Sequence, residues 1–208
     1  MSHLSKVTTM KKKINEKMKE IKKDLLLKEA SILFETVGYE NMKISDLAKN
    51  AGVSQSTIYT LFINKEGLYI EYIRYHIIGF MEELHSSITS DSTNYDKIEA
   101  FIRLKFSYYI QKEKALQHTL KNNPLFFNTL YSNFNDPFYE IYTFLANTFK
   151  QLDSTLSDTE AMKRAYSFSG YSDGYISFWM VTKNIDLLES VHEVCNTFLA
   201  TMKVDTNG

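Results

Sequence analysis

The chain is predicted to be all-α, an N-terminal three-helix helix-turn-helix domain followed by a helical-bundle domain. Three observations lead there. Only 7 glycines and 2 prolines interrupt 208 residues, so long elements are expected. Apolar residues recur mostly at three and four, the period of a helix face. The stretch ISDLAKNAGVSQSTIYTLFINK, Ile44 to Lys65, sets two short apolar-spaced helices on either side of Gly52. A glycine there suits a tight turn between helices, which wants positive φ and leaves no room for a Cβ.

Composition narrows the function classes. With 44% hydrophobic and 24% charged residues, the chain can build one sizeable core and a satellite domain. The single cysteine, Cys195, excludes an intrachain disulfide and fits a reducing, cytoplasmic location. No apolar run is long enough for a bilayer, and the lysine-rich N-terminus lacks the apolar segment of a secretory signal; no membrane partner is expected. Net charge is −1, but residues 1–69 hold 12 lysines against 8 carboxylates, and the remainder 12 Lys+Arg against 17. A basic front on an acidic body suits a molecule that presents one end to phosphates.

The elements follow in order. Residues 1–10 are polar and expected to be disordered. From Lys11, Ile14, Met18, Ile21 and Leu25 form a helical stripe, and Leu26, Ala30, Leu33, Phe34 and Val37 form a second that backs the helix-turn-helix. Gly38 is its stop. The lysines at 11, 12, 13, 17, 19, 22 and 23 are either a solvated face or an arm touching DNA backbone. In the helix-turn-helix, Leu47, Ala48 and Ala51 face inward from the first helix and Val53, Ile58 and Leu61 from the second. The second offers Ser54, Gln55, Ser56, Thr57, Tyr59 and Thr60 to solvent, a short polar helix of the kind that enters a major groove. Asn64 is the N-cap of a fourth helix, and the domain boundary is placed at 66/67.

In the body, residues 95–120 read as one central helix, apolar almost all round between Ile98 and Ile110. Asn122-Asn123-Pro124 starts a short helix, and Pro137 opens another that runs to about Leu152. Ser157 and Glu160 form a capping box. Along the helix that follows, Ser167, Gly170, Gly174 and Ser177 make a smooth face. The last helix, Asp186 to Met202, carries Leu188, Val191, Cys195 and Phe198 on a broad apolar stripe. Together these two helices suggest a four-helix interface with a second copy, a homodimer.

LLLKEASILFETVGYENMKISDLAKNAGVSQSTIYTLFINKEGL, Leu25 to Leu68, resembles the N-terminal domain of TetR/AcrR-type transcriptional regulators. The matching residues are Ala30, Leu33-Phe34, Gly38-Tyr39, Leu47-Ala48, Ala51 to Ser54, Thr57 to Tyr59, Phe62, Lys65-Glu66 and Leu68. Two departures stand out. Leu61 occupies a position often His or Tyr in the family, and Met42-Lys43 replace a Ser/Thr pair, leaving Asn41 to cap the second helix and Lys43 to reach a phosphate.

The resemblance implies a symmetric dimer on double-stranded operator DNA. Gln55 pairs with adenine, with Ser56 beside it. Thr57, Tyr59 and Thr60 bond phosphate oxygens, Ser54 belongs to the same DNA-binding face, and Lys65 adds a charged contact. The body shows no catalytic set, so an enzyme is not expected. His192 and Cys195, three apart, lack further ligands, so no metal is expected, and no cofactor. The surplus of 14 Phe and 14 Tyr suggests a ligand cavity. Its candidate walls are Phe106, Tyr109, Phe127, Tyr131, Phe134, Tyr142, Tyr175 and Trp179. Few buried charges are expected, so the effector is hydrophobic or aromatic. The expected function is a repressor released from its operator by that effector. The alternatives are an activator or partner-gated regulator without an open pocket, and a small-molecule-binding protein that has lost DNA binding.

Overall fold

The computed structural model describes residues 3–122 and 137–201, and every regular element among them is an α-helix. The helices are α1 (His3–Asn41), α2 (Ile44–Asn50), α3 (Gln55–Phe62), α4 (Lys65–Ser87) and α5 (Asn94–Gln111). They continue as α6 (Glu113–Asn122), α7 (Pro137–Leu152), α8 (Asp158–Thr182) and α9 (Val191–Thr201). The chain divides into two compact units, residues 1–75 and 76–208, and the division falls inside α4.

In the first unit the apolar residues of α1 to α4 close a small core. Leu26, Leu27, Ala30 and Phe34 of α1, Leu47 of α2, Ile58 and Phe62 of α3, and Leu68, Tyr69 and Tyr72 of α4 are all buried. Rings dominate it: Phe34 packs edge-on to Tyr69 at 5.2 Å and tilted against Tyr72 at 5.1 Å. The Tyr72 hydroxyl donates to Glu35 Oε1 at 3.4 Å, and burial chiefly, with Glu35 next, raises its pKa.

Two expectations change here and one holds. Residues 3–10, expected to be disordered, continue α1 as helix. The stripe Ile14, Met18, Ile21 and Leu25 is helical but exposed, because the core it would join begins only at Leu26. Gly38 does break the helix, at φ 79°.

The second unit packs its own core. Phe80, Met81 and Leu84 of α4, Phe101 and Phe106 of α5, Leu145 and Phe149 of α7, Phe168 of α8 and Val194 of α9 belong to one buried cluster. Thr93 caps α5 reciprocally with Asp96, and Ser157 caps α8 with Glu160. Pro137 opens α7 as its spacing predicts. The single helix expected over 95–120 is instead two, parted at Lys112, where φ and ψ leave the helical region (−106°, 20°). The helix start expected at 122–124 lies outside the described residues. Residues 187–190 form a turn that Asp186 caps by accepting from the Leu188 and Glu189 N–H groups at 2.8 and 3.2 Å, so the last helix begins only at Val191.

One buried charge was not expected. Lys105 of α5 is 8% exposed within the apolar run. Its ammonium donates to the Ser169 carbonyl (3.1 Å), the Ser172 hydroxyl (2.9 Å) and Asp173 Oδ1 (2.7 Å), all on α8. Each proton has an acceptor, the condition under which a buried cation is tolerated.

Candidate nucleic-acid interface

The turn between α2 and α3 is built from backbone torsion. Gly52 has φ 64°, and its N–H reaches the Lys49 carbonyl at 3.3 Å while Val53 N–H returns to Ala48 at 3.0 Å. A Cβ on Gly52 would meet nothing within 4 Å. The requirement for glycine is therefore its positive φ rather than crowding. Ser54 then caps α3: its hydroxyl accepts from Thr57 N–H at 3.2 Å and lies 2.8 Å from Ser56 Oγ and 2.9 Å from Thr57 Oγ1.

Capping fixes the start of α3, and burial of Ile58 and Phe62 fixes its rotation. Gln55, Ser56, Tyr59 and Thr60 consequently face outward. Gln55 and Tyr59 make no side-chain hydrogen bond among the described residues. Thr60 Oγ1 donates to the Ser56 carbonyl at 2.8 Å, leaving its lone pairs to accept. Thr57 is half-buried in the cap cluster. Phe62 fills the inward place expected of Leu61, which is only half-buried and lines a groove with Met18.

Lys43 is the exposed N-cap residue of α2 and gives no side-chain cap. Asn41 does not replace one, since its amide donates back to the Val37 carbonyl at 3.1 Å. Lys65 is folded onto its own domain: the ammonium donates to the Glu40 carbonyl at 3.2 Å and lies 4.5 Å from the centre of the Tyr39 ring. Burial lowers its pKa and the Glu40 carboxylate opposes that.

The α3–α4 corner is tighter than the spacing of its residues suggests. Asn64 caps α4 as expected, its Oδ1 accepting from Gly67 N–H at 2.7 Å. A Cβ on Gly67 would lie 2.2 Å from the Phe62 carbonyl oxygen, so the first turn of α4 rides on the last turn of α3. Between them Ile63 adopts φ 69° while 82% exposed, an unusual conformation for a β-branched residue.

The body residues separate into two groups. Phe106 and Tyr142 are buried in the core, and Tyr142 stacks on Tyr166 at 4.0 Å. Tyr109 is half-buried. Tyr175 donates to Glu193 Oε1 at 2.8 Å, and Lys183 covers the Trp179 ring at 3.4 Å. Phe127, Tyr131 and Phe134 lie outside the described residues.

Of the residues expected at a dimer interface, Ser167, Gly170, Gly174 and Ser177 are exposed along α8, with nothing within 4 Å of a Cβ at either glycine. Phe178 and Val181, 51% and 84% exposed, extend that face. Leu188 is 37% exposed and Phe198 half-buried against Phe168. Val191 and Cys195 correct the expectation. Both are fully buried in their own unit, since α9 spends its apolar stripe on the body core.

A three-helix support that presents a short, capped, uncharged polar helix defines a helix-turn-helix protein. Residues 26–72 match the model of the bacterial regulatory proteins, tetR family. A curated relative, the fatty acid metabolism regulator protein of Bacillus subtilis (strain 168), is 34% identical over 70 residues, 34% of this chain. That stretch spans only 36% of the relative's length. The fold also resembles that of a transcriptional regulator FadR from Bacillus subtilis in complex with stearoyl-CoA, with a TM-score of 0.63 and 21% identity, covering 85% of this chain and 97% of the other. Thermus thermophilus FadR, a TetR-family repressor in complex with lauroyl-CoA, gives 0.66 and 18%, covering 88% and 95%.

Proposed function

We propose that this regulator is a homodimeric, sequence-specific DNA-binding repressor that leaves its operator when a hydrophobic effector binds the body, a long-chain acyl-CoA being the first candidate. The observation that carries the DNA-binding part is the outward face of α3. Gln55 and Tyr59 have no partner within the described residues while Ile58 and Phe62 lock the helix from behind. A rigid helix with unspent amide and hydroxyl groups is what base-edge and phosphate recognition require. Gln55 reads a base. Ser56, Tyr59 and Thr60 meet phosphate or base edges, and Lys43 and Lys65 add positive charge at the ends of the motif.

The effector reading draws on the acyl-CoA complexes of the two similar structures and on the aromatic body. The dimer reading draws on the exposed face of α8, where small residues are continued by the exposed Phe178 and Val181. Release follows if the effector favours a tilt of α4 that DNA does not, because Gly67 gives α4 no slack against α3.

The test is a gel shift with duplexes selected by the protein from a random pool, with and without lauroyl-CoA or stearoyl-CoA. Retained duplexes freed by micromolar acyl-CoA are expected. Failure to retain any duplex overturns the reading. Retention that acyl-CoA leaves untouched favours partner gating, which the internal engagement of Tyr175 and Trp179 would then explain.

A further inference from the structure

The face of α1 that enters the core does not end where the core ends. Leu26, Ala30 and Phe34 lie on it, each buried to within 2%. Stepping toward the N-terminus by four, three and four residues, the same face continues as Lys22, Lys19 and Asn15, all exposed. Beyond Leu26 this stretch of α1 has α3 as its neighbour. Asn15, Met18, Lys19 and Lys22 form one wall of an open groove of about 410 Å³, and Ser56, Thr57, Thr60 and Leu61 of α3 form the other, so polar and charged groups flank an apolar pair.

Charge along this extension is sorted. Residues 3–25 contain eight lysines against three carboxylates. The carboxylates Glu16, Glu20 and Asp24 fall on a separate line four residues apart, and none of them lines the groove. Lys23 is spent on Glu71 at 2.8 Å. Lys19 and Lys22 have no ion pair or hydrogen bond among the described residues. At a rise of about 1.5 Å per residue the 23 residues 3–25 are roughly 35 Å long, comparable to one turn of duplex DNA.

We propose that this N-terminal extension is a second DNA-binding element, and that the α1–α3 groove seats one sugar-phosphate strand of the duplex. Lys19 and Lys22 neutralise its phosphates from one side while the α3 hydroxyls hydrogen-bond from the other. This deepens the reading of α3 as the DNA-reading helix and rests on it. It assigns backbone affinity, indifferent to sequence, to residues outside the helix-turn-helix.

The test uses the full chain and a random-sequence duplex, since phosphate contacts do not need the operator. Affinity is measured between about 50 and 200 mM salt for three proteins: wild type, Lys19→Gln/Lys22→Gln, and Lys13→Gln/Lys17→Gln. The last removes the same charge from the same helix on a face turned away from the groove. Each lost phosphate contact lowers the magnitude of the log–log salt slope by about 0.9. The groove variant is expected to lose about two such steps per subunit and the control much less, with helicity unchanged in both. Equal losses in the two variants would make the extension a diffuse positive cloud and overturn the groove. An unchanged slope in the groove variant would do the same while leaving α3 as the DNA reader. No wild-type binding to any duplex would remove both readings together.

Discussion

Gln55 stands on the first turn of α3, exposed, its amide without an internal partner. Replacement by alanine leaves the Ser54 cap and the Ile58 anchor in place, so the fold should not change. What it removes is a bidentate donor–acceptor pair, and preference at one operator position should fall by about 1–3 kcal/mol. Competition between operator duplexes differing at single positions measures this; a uniform loss across all positions would show Gln55 to be a phosphate contact. Gly67 argues the other way. Its hydrogen faces the Phe62 carbonyl where a Cβ would sit at 2.2 Å, so Gly67→Ala must push the α3–α4 corner apart. A destabilisation of about 1–3 kcal/mol is expected, visible as a lowered melting temperature; an unchanged one would mean the corner yields freely. Nothing in the spelling NKEGL separates Gly67 from any helix-compatible residue, because the contact depends on how two helices meet. Gly52 was legible for the opposite reason, as a turn between two short helices advertises its torsion locally. Cys195 adds a pH-dependent case. Burial, with Glu99 adding and Arg103 opposing, pushes its thiol up to about 12 from 9.0. The folded protein keeps that proton while the unfolded chain releases it, so stability is expected to drop as pH rises from about 9 toward 12. At pH 8 the thiol should resist a disulfide reagent until denaturant is added; rapid labelling of native protein would contradict its burial.

At the scale of elements, local signals located what local physics controls. The capping pair Ser157–Glu160, the Pro137 start and the Asn64 cap all stand where the spacing puts them. The break at Lys112 and the charge at Lys105 were hidden. The first lacks any Gly or Pro, and the second depends on α8 groups more than sixty positions away. Amphipathicity misled at α9, where an apolar stripe says that a face is covered but not by what. On α8 the two faces divide cleanly. Ala161, Ala165, Phe168, Ser172 and Ile176 turn inward, while Gly170 and Gly174 turn outward into open space. A larger residue at Gly174 therefore has room within its own subunit. Gly174→Leu should keep helical content and melting behaviour while blocking close approach of a second copy. Sedimentation should then report a folded monomer; a variant that still forms dimers would move the interface elsewhere.

For the molecule as a whole, the proposed function makes operator binding and effector binding two sides of one cycle. If acyl-CoA weakens operator binding by some factor, saturating operator must weaken acyl-CoA binding by the same factor, since both describe one coupling free energy. Couplings of this kind are typically about 1–3 kcal/mol, or roughly 5- to 150-fold. In the proposed function that coupling acts on α4, a helix of 23 residues whose first turn is pinned to α3 by the Phe62–Gly67 approach. Gly67→Ala should then alter the coupling as well as stability, because it inserts an atom where that rigidity arises. Four titrations by calorimetry and anisotropy close the cycle: DNA with and without stearoyl-CoA, and stearoyl-CoA with and without DNA. Equal factors greater than about 5 are expected in the wild type, with a changed factor in the variant. Tight acyl-CoA binding with a factor of one would mean the ligand does not distinguish the two states. However strong its affinity, it could not then be the signal that frees the operator.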